Sequence, residues 1–233
     1  MMTSSTLLTA LLLLAGVTEV QVVHLPPRGR VNLTLGVKAK VDVERVGTVT
    51  RAVVEIEELQ PASTAIPGMN AYVVWAVSPE GSFDNLGELL VERNKGTLDA
   101  TTIFDRLAIL ISAEPHYLVD RPSLATIYKN EAARSARSVP TTVPVGEYEY
   151  SGMPPRVFGV PSLVMQARAA IAIAISAQAE QLAEAELRQA RITLDTTEEL
   201  QRRSSPADIV AASAHETIRR AQRATAVARQ SMR

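Results

Sequence analysis

The chain has no cysteine among its 233 residues, only 4% aromatic residues, and no excess of charge of either sign. The missing cysteine excludes disulfides, thiolate metal sites, a thiol nucleophile and a lipid-anchored N-terminal cysteine. With so few aromatic rings, alanine and valine must fill much of the interior. A net charge of −1 removes any global field that would draw the protein to nucleic acid or to an acidic surface. Long apolar runs are also lacking. The longest, around Leu7 to Leu14, spans about ten residues, too short for a bilayer and the length of a signal-peptide core. No Lys or Arg precedes Arg28, so the basic start of a usual leader is missing too. The expectation is export to the periplasm or cell envelope with a leader in residues 1–21, and no transmembrane span.

What is present changes period near the middle of the chain. Val37, Ala39, Val41 and Val43 alternate with Lys38, Lys40, Asp42 and Glu44, and Ala52, Val54 and Ile56 alternate with Arg51, Glu55 and Glu57. Period two predicts strands with one buried and one wet face, and Gly47-Thr48 suits the hairpin turn between them. Tyr72 to Val77 is continuously apolar, as in a central strand covered on both sides, with Trp75 as a core anchor. Pro79-Glu80-Gly81 ends that strand. Further strands are predicted at Leu86–Val91, Thr97–Phe104, Leu107–Ala113 and Ala125–Tyr128, with a turn at Asn94-Lys95-Gly96. Short strands at this spacing predict a sandwich of about 100 residues.

Val139 to Pro161 is rich in proline, which central strands and helix interiors exclude, and reads as a semi-extended connector. From Ser162 the period is helical. Val164, Arg168, Ile171 and Ile175, then Leu182, Leu187, Ala190 and Leu194, predict one helix over 162–203. A second, over 206–232, has Ser205 placed as N-cap, Pro206 as its first residue and Asp208 in its first turn. Its apolar side is marked by Ile209, Ala212, Ile218, Ala221, Ala224 and Ala228. The predicted class is α+β: an Ig-like antiparallel β-sandwich (22–133), a connector (134–160) and a long antiparallel helical hairpin (161–233). Alanine buries little area, so two such helices are expected to need a third surface, from a partner protein, a second copy or a continuation of the chain.

No reactive constellation accompanies this architecture. His24, His116 and His215 share no metal-ligand spacing, the glycines form no phosphate loop, and no serine sits on a strand-to-helix elbow. Asp99 and Asp105 lie near each other at predicted strand ends, where carboxylates are solvated. Asn32-Leu33-Thr34 matches a glycosylation triplet that recurs by chance. The expectation is a non-enzymatic protein with no catalytic, cofactor-binding or metal-binding residue. One feature points to binding: the last helix carries Arg219, Arg220, Arg223 and Arg229. Cations near a helix C-terminus are stabilised by the macrodipole. The same four are also expected to offer a basic interaction face to an anionic cell-envelope polymer or lipid headgroup. Nucleic acid is not expected, because base-stacking aromatics are absent from that helix.

The segments Tyr72-Val-Val-Trp-Ala-Val-Ser-Pro-Glu-Gly, Asn85-Leu-Gly-Glu-Leu, Ala113-Glu-Pro-His and Arg121-Pro-Ser resemble the extracytoplasmic β-sandwich of anti-sigma-K factors. With Met165-Gln-Ala-Arg-Ala-Ala-Ile and the Ala/Glu-rich stretch after it, residues 37–233 resemble the N-terminal part of OmpA-family envelope proteins. The resemblance implies a leader, a sandwich and an alanine-rich helical segment. It implies a scaffold acting through protein contacts or, alternatively, a sensor module of anti-sigma type. The OmpA-like peptidoglycan-binding domain and the zinc-binding anti-sigma helices have no counterpart in the sequence, so neither activity carries over with the motifs.

Overall fold

The computed structural model describes residues 17–23, 28–33, 39–129, 140–146 and 153–232. Its elements in chain order are β1 (Val17–Val23), β2 (Arg28–Leu33), β3 (Ala39–Val46), β4 (Val49–Glu57), α1 (Ala62–Ala65), β5 (Ala71–Val77), β6 (Phe83–Glu88), β7 (Leu90–Glu92), β8 (Lys95–Thr102), β9 (Ala108–Glu114), β10 (Thr126–Lys129), β11 (Pro140–Gly146), α2 (Ser162–Ser176), α3 (Ala179–Leu182), α4 (Glu184–Arg202) and α5 (Ala207–Ser231). The fold is mixed α and β, with every strand pairing antiparallel.

One sheet has the order β2-β3-β4-β8-β7 and another β10-β9-β5-β6. Alternation explains how they meet. Ala39, Val41 and Val43 of β3 lie opposite Ile56, Val54 and Ala52 of β4, so one face of that pair is apolar throughout. This face shares a core with Tyr72, Val74 and Ala76 of β5 and Ile109, Ile111 and Ala113 of β9. Outward positions carry charge, as in the Lys40–Asp42 pair at 2.8 Å and the two-pronged Arg51–Asp99 bond across β4 and β8. The apolar run of β5 has a further cause. Its other face, with Val73, Trp75 and Val77, forms a second core with Ala108, Leu110 and Val119. Trp75 is therefore buried, but under the segment that follows β9 and not between the sheets.

Several boundaries differ from the sequence expectation. The predicted strand Leu86–Val91 is divided between sheets: β6 pairs with β5 and β7 with β8. Leu89 is buried between them, and its N–H donates to the Tyr72 carbonyl at 2.8 Å. The following turn is Arg93-Asn94, one residue early, with φ of 49° and 63°, the left-handed pair that a type I′ hairpin requires. The predicted connector holds β11, paired with β1, whose first residues fall within the expected leader segment. Pro140 and Pro144 are an even number of residues apart, so their missing N–H groups fall on the same edge of β11, an edge strand of a two-stranded sheet. The apolar run at Leu7–Leu14 and His24 lie outside the described residues.

The C-terminal unit is not the two-helix hairpin that periodicity predicts. The expected helix over 162–203 breaks after Ala177, where Gln178 is left-handed with φ 60°. A non-glycine residue there costs about 1–2 kcal/mol, and no glycine or proline in the sequence announces it. The break lets the two halves bury different surfaces. α2 is buried almost all round, with Val164, Gln166, Ala167, Ala170 and Ala174 inside, whereas α4 buries only Leu187, Ala190 and Thr197. Both share one core with Val210, Ala214, Ile218, Ala221, Ala224 and Ala228 of α5. Ile209 and Ala212, predicted as apolar-face residues, are exposed. Ser205 does not cap α5; Pro206 itself occupies the N-cap position. The third surface that two alanine helices need thus comes from α2 and from Tyr117 and Leu118 of the β9–β10 segment.

Candidate functional site

The segment between β9 and β10 positions everything that gathers at the junction of sheet and helices. Glu114, the last residue of β9, is fully buried. Its Oε1 accepts from the Ser112 hydroxyl and from the Ser123 N–H at 2.7 Å, closing the segment back on its own strand. Trp75 Nε1 donates to Ser112 Oγ at 2.9 Å, so the ring is tied to the same network. Burial pushes the Glu114 carboxyl up to about 7, against the hydrogen bonds from Ser112 and Ser123, while Asp120 adds to the rise. Burial likewise lowers the His116 ring to about 3. Its Nδ1 accepts from the Leu118 N–H at 3.2 Å, and Nε2 is buried with no hydrogen-bond partner among the described residues. Asn85 holds the segment from β6, donating to the carbonyls of Tyr117 (2.9 Å) and Val119 (3.0 Å).

The outer side of this segment receives the helices. Gln166 of α2, buried in an otherwise apolar turn, accepts from the Tyr117 N–H at 3.1 Å and donates to Glu88 Oε1 at 2.8 Å. His215 of α5 meets the Tyr117 hydroxyl through Nδ1 at 3.0 Å, and the two rings stand edge to face. Ser162 donates to the Asn70 carbonyl at 2.8 Å, and Arg229 reaches Asp120 at 2.7 Å. Gln166 therefore hydrogen-bonds α2 both to β6 and to the β9–β10 segment. Replacing it with Leu should cost about 1–3 kcal/mol, because the half-buried Tyr117 N–H and Glu88 carboxyl lose their partner at once. Urea unfolding checks this, and an unchanged midpoint would show that the bridge carries no weight.

Two cavities flank the junction. One, of about 400 Å³, lies where β5, β6 and β7 meet α2 and α5, with Glu88, Gln166 and His215 in its wall. Burial raises the Glu88 carboxyl to about 7 despite the hydrogen bond from Gln166. Burial, with help from Arg219, lowers the His215 ring below its ordinary value. The other is a groove of about 520 Å³ between α4 and α5, lined by Glu186, Gln189, Glu216, Arg219, Arg220 and Arg223. Glu216 accepts from Arg219 at 2.8 Å and Arg220 at 2.7 Å, and the Arg219 bond is the main cause that holds its carboxyl below the usual range.

The four arginines singled out from the sequence therefore do not form one face. Arg219, Arg220 and Arg223 share the groove, whereas Arg229 fastens α5 to Asp120. Of the histidines, His116 is buried within the β9–β10 segment and His215 stands at the junction. Asp99 is taken by Arg51, and Asp105 lies exposed in the following bend, so they make no carboxylate pair. Among the described residues no group of three or more His, Asp or Glu could hold a metal ion, and no helix is long and apolar enough to cross a membrane. Glu88, Glu114, Gln166 and Tyr117 were not foreseen as site residues. Their one signal is a polar side chain inside an apolar run, as in Ile-Leu-Ile-Ser-Ala-Glu and Leu-Val-Met-Gln-Ala. No protein-family model, curated protein or solved structure matches this chain.

Proposed function

We propose that this protein is a non-enzymatic binding or scaffold protein of the cell envelope, an Ig-like sandwich whose helical unit takes an acidic segment of a partner protein. The α4–α5 groove carries the reading: Arg219 and Arg220 are held in place by Glu216, with Arg223 beside them. Guanidinium forks fixed in advance suit carboxylates and lose little rotamer freedom on binding. The strand orders β3-β4-β8-β7 and β10-β9-β5-β6 support the Ig-like assignment, because they follow the A-B-E-D and G-F-C sheets of that fold, with β6 beside strand C. Export rests on the Leu7–Leu14 run, and fractionation with N-terminal sequencing tests it; an intact Met1 in the cytoplasm would oppose it. A sensor module of anti-sigma type is the second reading, favoured by Glu88, a carboxyl that titrates near 7 where helices meet sheet.

The groove is tested by fluorescence anisotropy with a labelled Glu/Asp-rich decapeptide. Arg219→Glu with Arg223→Glu should weaken binding by about tenfold or more, and added salt should weaken it in the native protein. Equal affinity of the native and double-variant proteins would refute the groove as the binding surface.

A further inference from the structure

The cavity at the sheet–helix junction has a charge pattern opposite to that of the arginine groove. Among the described residues its charged lining is two carboxylates, Glu88 and Glu92, with no Lys or Arg in the wall. Of its two titratable rings, His215 is drawn toward the neutral form by burial and by Arg219, and burial pushes the Tyr72 phenol up to about 12, so it too is neutral. Glu88 is half-buried, and it accepts a hydrogen bond from the neutral amide of Gln166, which the Tyr117 N–H orients. The carboxylate is thus aimed and fixed with no cation of the described residues beside it. Leu89, Leu90, Val91 and Leu163 supply an apolar wall around it. At about 400 Å³ the space matches a small organic ligand. An anion would meet two carboxylates there. A neutral ligand would leave Glu88 uncompensated.

We infer that this cavity binds a primary ammonium group carried on a short apolar stem, with Glu88 as its counter-ion and Gln166 as the residue that positions Glu88. The stem lies against the leucine and valine side chains, and Glu92 at the outer end adds attraction. A free small amine and a lysine side chain of a peptide share this chemistry. The site is separate from the α4–α5 groove, and its occupant has the opposite charge, so the two proposals stand or fall independently.

The test is calorimetric or NMR titration of the full chain with pentylamine, with pentanol, and with a blocked Ala-Lys-Ala tripeptide. Pentylamine should bind at least about tenfold more tightly than pentanol, the margin expected for a hydrogen bond to a charged group. Glu88→Gln should erase that margin, while Glu92→Gln should reduce it only in part. The native protein's preference for amine over alcohol stands as a test even if Glu88→Gln fails to fold. Tripeptide binding on the same resonances would identify a lysine side chain as the source, and amine binding without it a free small amine. Equal binding of pentylamine and pentanol, or binding of none of the three probes, would overturn the proposal.

Discussion

Trp75→Ala will lower the unfolding free energy by about 3–5 kcal/mol, among the largest losses any single core truncation produces. The ring is 1% exposed and fills the second core between β5, β9 and the β9–β10 segment, edge-on to Phe83 at 6.4 Å. Truncation also removes the donor to Ser112 Oγ, the first bond of the chain that runs on to Glu114. Trp75→Phe separates the two effects: it keeps most of the volume and loses the indole N–H, at about 1–2 kcal/mol. Because Trp75 is the chain's one tryptophan, the variants are followed by helical circular dichroism in urea. A loss below about 1 kcal/mol for Trp75→Ala would place the ring at a surface and contradict the second core.

The second large effect is an acid-shifted stability optimum. Glu88 and Glu114 titrate near 7 in the folded protein against an ordinary 4.5. Between those values the native state holds protons that the unfolded chain has released. Their stabilising share is therefore complete below about pH 4.5 and is lost as pH rises through 7. His116 acts with the opposite sign: lowered to about 3 from 6.5, it supports the fold above 6.5 and loses that support as pH falls through 3. The lowered His215 ring acts in the same sense as His116, but above pH 6.5 both rings are neutral in either state and only the two carboxyls still titrate, so stability should be higher on the acid side of pH 7 and decline toward pH 8. At about 1.4 kcal/mol per pKa unit, Glu114 alone accounts for a decline on the order of 3 kcal/mol. Glu114→Gln keeps an oxygen for Ser112 and Ser123 but cannot ionise. It should match the native protein near pH 5 and exceed it at pH 8. Native and variant curves that run parallel across this range would show that Glu114 does not titrate as its burial requires.

How far the fold could be read in advance depended on whether a residue's partner was near in sequence. The β3–β4 pair was legible because alternation and the Gly47 turn are local. The division of Leu86–Val91 was not, since it is decided by which neighbour each half meets, β5 or β8. The break at Gln178 was hidden for the same reason: local helix propensity is continuous there, and burial of α2 against α5 and the Tyr117 segment overrides it. The arginines were visible as a run on one helix, but not their separation, because Asp120 lies 109 residues from Arg229. Gln166 and Glu88 could not be paired from sequence at all, being 78 residues apart.

These long-range bonds make the helices a part of the sheet structure and not an appendage on a tether. Thermal unfolding followed by two probes tests this most directly. Trp75 emission reports the core beneath the β9–β10 segment, and helical circular dichroism reports α2, α4 and α5. Coincident midpoints in the native protein are predicted. Helices that melt at a separate temperature, with Trp75 emission unchanged, would contradict the account.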